Sequence, residues 1–188
     1  MRTLSFNFKP IMVSITMMLF CMSLMNSFSQ KESKQERKAR EAQEQEVQYN
    51  VAKKAMYDTA FLIPAQTIQF KNSSLIPVLG TINYLQLDGN NSVLQIGSEI
   101  GSEPGLNKLG GITLKGNVSN LKISEKKNRI FLTYTLTGLI GTARIAVSLT
   151  GSNIVNIDID GMFSGRAFTM RGMLVNLGES KTFEGTEF

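Results

Sequence analysis

Asp158 and Asp160 are the residues of this chain best suited by type and spacing to do chemistry. In the alternating run Val155 to Asp160, a strand would turn both carboxylates, with Asn156, to one face. Paired carboxylates can hold calcium or share acid–base work. The same pattern describes the solvent face of a half-buried strand, and that is the expected reading. Glu99 with Glu103 offers the same choice. Arg144, Arg166 and Arg171 could hold an anion if they met on one polar face, but a solvated face is again the expected reading.

Other chemistries are removed by composition. The chain has no histidine and one cysteine, Cys21. There is no imidazole base and no Ser-His pair, and zinc and copper sites of the usual kinds are out. No cofactor and no metal are expected. Tryptophan is absent and aromatics make up 8% of the chain, which argues against stacking-based recognition of sugars or single strands.

The address comes from residues 1–29. Arg2 and Lys9 form a positive n-region, Ile11 to Leu24 an apolar h-region, and Ser27-Phe28-Ser29 a small-residue cleavage site. Cleavage between Ser29 and Gln30 is expected, leaving residues 30–188 as an exported chain. The apolar run is about 14 residues, short of the roughly 20 a membrane helix needs. No transmembrane span is therefore expected after cleavage. Cys21 follows Phe20 rather than a small residue, so lipidation is not expected. Losing Arg2 and Lys9 lowers the net charge from +5 to +3, too weak for a nucleic-acid footprint.

Two segments then have to position whatever chemistry exists. Residues 30–58 are charged and rich in helix formers, with an i,i+4 pair at Arg37 and Glu41 and an apolar stripe at Val47, Val51 and Ala55. The expectation is a solvated helix that docks its C-terminal turns. Residues 59–188 read as β. Strands are expected at Thr67–Phe70, Thr81–Leu87, Val93–Ile96, Asn117–Ser124, Arg129–Thr137, Arg144–Leu149, Val155–Asp160 and within Phe163–Val175. Tight turns are expected at Asp88-Gly89-Asn90-Asn91, Glu125-Lys126-Lys127-Asn128 and Gly151-Ser152-Asn153. The fold class is mainly β: a curved antiparallel sheet of seven to nine strands, either a sandwich or a lipocalin-like barrel. A membrane barrel is a weaker reading of the terminal Phe188, because aromatic girdles are missing.

The long loop from Gly97 to Gly111 is expected first as a mobile connector, and the alternative is a binding loop with Gly97, Ser98, Gly101, Gly105, Asn107, Gly110 and Gly111 as candidate contacts. It is not a phosphate loop, since no Gly-Lys-Ser/Thr closes it. Tyr134 is the candidate on an apolar face with Ile130, Leu132, Leu136, Ile145, Val147 and Leu149. That face could line a pocket or simply fill a core.

The order Leu87-Asp88-Gly89, then Leu94-Gln95-Ile96-Gly97-Ser98, then Gly110-Gly111-Ile112-Thr113 resembles the domain-of-unknown-function 4251 family of exported Bacteroidota proteins. The tail from Gly172 to Gly185 is similar to that family's C-terminal segment. Gly141-Thr142-Ala143-Arg144 departs from it, where a tyrosine and an acidic residue follow the glycine. The resemblance implies a β-rich envelope domain and carries over no functional residues. The functional expectation is an exported, non-enzymatic envelope protein binding a small molecule, a lipid or an envelope protein. A carboxylate-dependent hydrolase and an interaction protein that uses the helix are the alternatives.

Overall fold

A computed structural model describes residues 33–71, 74–97, 111–161 and 167–177. The expected signal with its Ser29/Gln30 cleavage site, and the terminal Phe188, lie outside these residues.

Helix α1 spans Lys34–Tyr57. Ser33 caps it: the Ser33 Oγ accepts from the Glu36 N–H at 3.2 Å, and the Glu36 carboxylate accepts from the Ser33 N–H at 2.8 Å. Two orphan donors are thus satisfied reciprocally. These hydrogen bonds hold the Glu36 carboxyl below its ordinary range. Arg37 and Glu41 form the expected i,i+4 pair at 3.4 Å. The docked face keeps Ala55 of the expected stripe and leaves out its two valines. Ala52, Ala55 and Met56 are buried, whereas Val47 and Val51 are exposed. Val47 and Val51 lie more than a quarter-turn from the Ala52–Met56 direction at 100° per residue, so the valine spacing marks a different side of the helix.

Among the described residues ten strands follow: β1 Ala60–Phe70, β2 Ile76–Pro77, β3 Tyr84–Asp88, β4 Asn91–Ile96, β5 Ile112–Lys126, β6 Arg129–Gly138, β7 Gly141–Thr150, β8 Ile154–Asp160, β9 Phe168–Met173 and β10 Val175–Asn176. Eight of them close an antiparallel barrel in the order β1-β3-β4-β5-β6-β7-β8-β9, and β9 returns to β1. The short β2 and β10 add to the two edges of β1. The choice between sandwich and barrel is therefore settled as a closed barrel.

β1 begins at Ala60, seven residues before the expected start, and runs through Pro64. The Ala65 N–H faces β3, donating to the Asn83 carbonyl at 2.8 Å. Neighbouring residues alternate edges, so the missing N–H of Pro64 falls on the β9/β10 side, where pairing is interrupted at Leu174. β3 begins at Tyr84 rather than Thr81, because Gly80–Asn83 form a turn. The expected turns at Gly89-Asn90 and Lys127-Asn128 are present, the latter pair with φ of 50° and 58°. β7 keeps continuous register with β6 from Gly141 to Thr150, straight through the segment that departs from the family pattern.

Alternation puts apolar side chains inside and polar ones outside. β8 buries Val155, Ile157 and Ile159 and exposes Asn156, Asp158 and Asp160. Thr133, Thr135 and Thr137 face outward from β6. A lipid-spanning barrel needs the reverse pattern. Ile130, Leu132, Tyr134, Leu136, Ile145, Val147 and Leu149 are each 0–1% exposed and share one core with Met56, Phe61 and Met170. Burying each large aliphatic side chain contributes about 1.5–3 kcal/mol.

Helix α1 and the β5–β6 turn meet at one end of the barrel. The Tyr49 hydroxyl donates to the Asn128 carbonyl at 3.3 Å, and Lys53 pairs with both Glu125 oxygens at 2.8 and 2.9 Å. β1, β4, β6 and β8 run toward the opposite end.

Candidate functional site

A cleft of about 380 Å³ opens at the rim of that opposite end, where β9 lies between β1 and β8, and both the outward row and the inward Phe168 and Ile159 line it. Register explains its membership. Gln69, Thr169 and Asp158 stand in one row across the three strands. β9 starts only at Phe168, so beyond this row the neighbours are Lys71 on one side, Ala167 in the middle and Asp160 on the other. Small residues at 167 and 169 leave the depression open.

Both candidate carboxylates therefore reach one cleft, and they do so from an exposed outer face. Thr169 Oγ1 donates to Asp158 Oδ1 at 3.0 Å. Phe70 and Phe168, whose ring centroids are 5.6 Å apart, form its apolar margin. Among the described residues, no three His, Cys, Asp or Glu side chains group as metal ligands. The arginines do not converge. Arg144 stands opposite Asp160, and Arg171 opposite Asn156, four residues away along β8. Arg166 lies outside the described residues.

Tyr134 sits inside the barrel, away from the cleft. Its hydroxyl is 2.9 Å from Ser92 Oγ, and burial pushes its phenol well above the usual range. Ser98, Gly101, Gly105, Asn107 and Gly110 lie outside the described residues, as do Glu99 and Glu103. Gly97 and Gly111 are described, and they stand side by side at the ends of their segment. A Cβ on Gly111 would fall 1.7 Å from the Ile96 carbonyl oxygen, so this close strand exit admits glycine alone.

The base of that segment is pinned by side chains with no sequence signal. Gln95 accepts from Thr113 Oγ1 at 3.1 Å and donates to the Ile82 carbonyl at 3.2 Å. Asn83 accepts from the Gly97 N–H at 3.0 Å and donates to the Leu79 carbonyl at 3.0 Å. All three side chains are buried. Gln95 and Thr113 occupy outward strand positions, which normally read as solvent-facing. Gln69, Lys71 and Thr169 were equally illegible as cleft residues, because each is ordinary alone and only the β1–β9 closure joins them.

Among the described residues, no helix is long and apolar enough to cross a membrane. Among curated proteins, none matches this chain. A solved structure that is similar is the crystal structure of a DUF4251 family protein from Bacteroides eggerthii DSM 20697. It is 28% identical, with a TM-score of 0.61, over 71% of this chain and 91% of that one. The family model for a domain of unknown function, DUF4251, matches residues 43–174, from the docked half of α1 to the end of β9. The chain belongs to the DUF4251 family.

Proposed function

We propose that this protein is an exported, non-catalytic binding domain of the cell envelope, in which a filled barrel is the scaffold and the ligand is met at its rim. The observation that carries this reading is the contrast between interior and rim. The apolar side chains that a lipocalin-like carrier would arrange around a cavity are packed against one another at 0–1% exposure. The described cleft instead lies at the rim, between β1 and β8, where Gln69, Lys71, Asp158, Asp160 and Thr169 join the apolar Phe70, Ile159, Ala167 and Phe168. A lipid held within the barrel is disfavoured by the same packing. Export is supported by the n-region, h-region and small-residue pattern of residues 1–29.

The test is native mass spectrometry of protein purified gently from an envelope fraction. A retained small molecule or partner, with a chain starting at Gln30, is the expected result. A chain that keeps residues 1–29 in the cytoplasm, or a ligand released only on unfolding the barrel, overturns it. The hydrolase alternative draws on the arrival of Asp158 and Asp160 in one cleft. Turnover of glycoside or ester substrates that D158N and D160N abolish would replace the binding reading with that one.

A further inference from the structure

The rim cleft carries opposite charges on opposite sides, and we propose that it receives a short zwitterionic peptide, amino terminus toward β8 and carboxylate toward β1. This rests on reading the chain as a binding domain. Lys71, the residue after β1, lines one side and Asp158 and Asp160 of β8 the other, with Ala167 and Thr169 between them. Thr169 occupies one oxygen of Asp158 at 3.0 Å. The other oxygen keeps its capacity to accept from an ammonium group. Arg144, opposite Asp160, belongs to β7, on the side away from the cleft.

Reach selects the ligand's length. Two strand spacings separate β1 from β8, roughly 10 Å. A single α-amino acid carries its charges too close together to meet both sides. An extended dipeptide spans about 7 Å, and a charge-assisted hydrogen bond adds about 2.8 Å at each end. Phe70, 40% exposed, offers apolar surface to a ligand side chain. A sugar would fit the volume but would make no use of the charge segregation. Ion pairs in an open cleft are individually weak and screened by salt, so millimolar affinity that falls with ionic strength is expected.

The experiment titrates the purified protein with L-alanyl-L-alanine, its N-acetyl form, its C-terminal amide and glucose, read by calorimetry and amide chemical shifts. Binding of the free dipeptide is expected, weakened about two- to fivefold by either blocking group, by K71Q and by D158N, in proportion to one lost charge contact. D158N keeps an oxygen for Thr169, so an unchanged spectrum outside the cleft shows that it folds. Equal binding of the blocked forms, stronger binding of glucose, or unchanged affinity in K71Q overturns the peptide assignment. A ligand retained in native mass spectrometry and indifferent to K71Q and D158N overturns it while leaving the binding-domain reading intact.

Discussion

Tyr134 of β6 and Ser92 of β4 are joined inside the barrel, across the intervening β5, by a hydrogen bond of 2.9 Å. The Ser92 hydroxyl donates its own proton to the Gln86 carbonyl at 2.7 Å. A hydroxyl has one proton, so Tyr134 must be the donor to Ser92. The chain Tyr134 to Ser92 to Gln86 satisfies two buried hydroxyls and holds three strands in fixed relation.

Removing the two ends of this chain should cost different amounts. Tyr134→Phe deletes one donor and leaves Ser92 bonded to Gln86, so about 0.5–1.5 kcal/mol is expected. Ser92→Ala strands the buried Tyr134 hydroxyl and should cost about 1–3 kcal/mol. Urea unfolding of both variants checks the order, and equal costs would contradict the donor assignment.

Alkaline pH should unfold the protein partly through Tyr134. Burial raises its phenol above the ordinary value of 10.0. The unfolded chain therefore releases this proton first, and stability present below about pH 10 falls as pH rises further. The slope of stability against pH above that point should be shallower in Tyr134→Phe than in the native protein.

Packing, more than the ion pair, should fasten α1 to the barrel. Met56→Ala removes a fully buried side chain and should cost about 2–5 kcal/mol. Lys53→Ala breaks a pair whose side chains are 34% and 35% exposed and should move the urea midpoint far less. Hydrogen bonds, chiefly from Lys53 and then from Tyr57, hold the Glu125 carboxyl below 4.5. The small contribution of this pair is therefore present above that pH and lost as pH falls through the lowered range. A Lys53→Ala effect as large as that of Met56→Ala would reverse this ranking.

Barrel closure should be sensitive at Gly172. A Cβ there would lie 2.2 Å from the Pro64 carbonyl oxygen, at the β1–β9 seam. Gly172→Ala must push the two strands apart and should cost about 1–3 kcal/mol or more. Hydrogen exchange should localise the loss to the pairing of residues 65–70 with 168–172. Uniform loosening of all strands would argue against a local clash.

Much of the strand content was legible because it is local. Ile130, Leu132, Tyr134 and Leu136 alternate with threonines, and the structure buries that set. Gly89-Asn90 and Lys127-Asn128 turn where turn chemistry places them. β5 was less legible. Ser119 pairs with Thr135 but Lys122 with Thr133, and Asn120, at a φ of 54°, takes up the extra residue. This bulge switches the inward series from Val118 to Leu121 and Ile123, so simple alternation fails along one strand.

What the sequence determined by itself is what rests on residue type and near neighbours: helix, strands, turns, the inward apolar face, and the absence of imidazole chemistry. What only the tertiary structure decided is which distant residues meet. The return of β9 to β1 closes the barrel and sets Lys71 across from Asp158 and Asp160, 87 and 89 positions further along the chain. Strand pairing at such separation depends on the register of every intervening hairpin and on the Gly172 contact with Pro64. Neither leaves a periodic mark in the residues that form the cleft, because alternation records which way a side chain faces and not what stands opposite it.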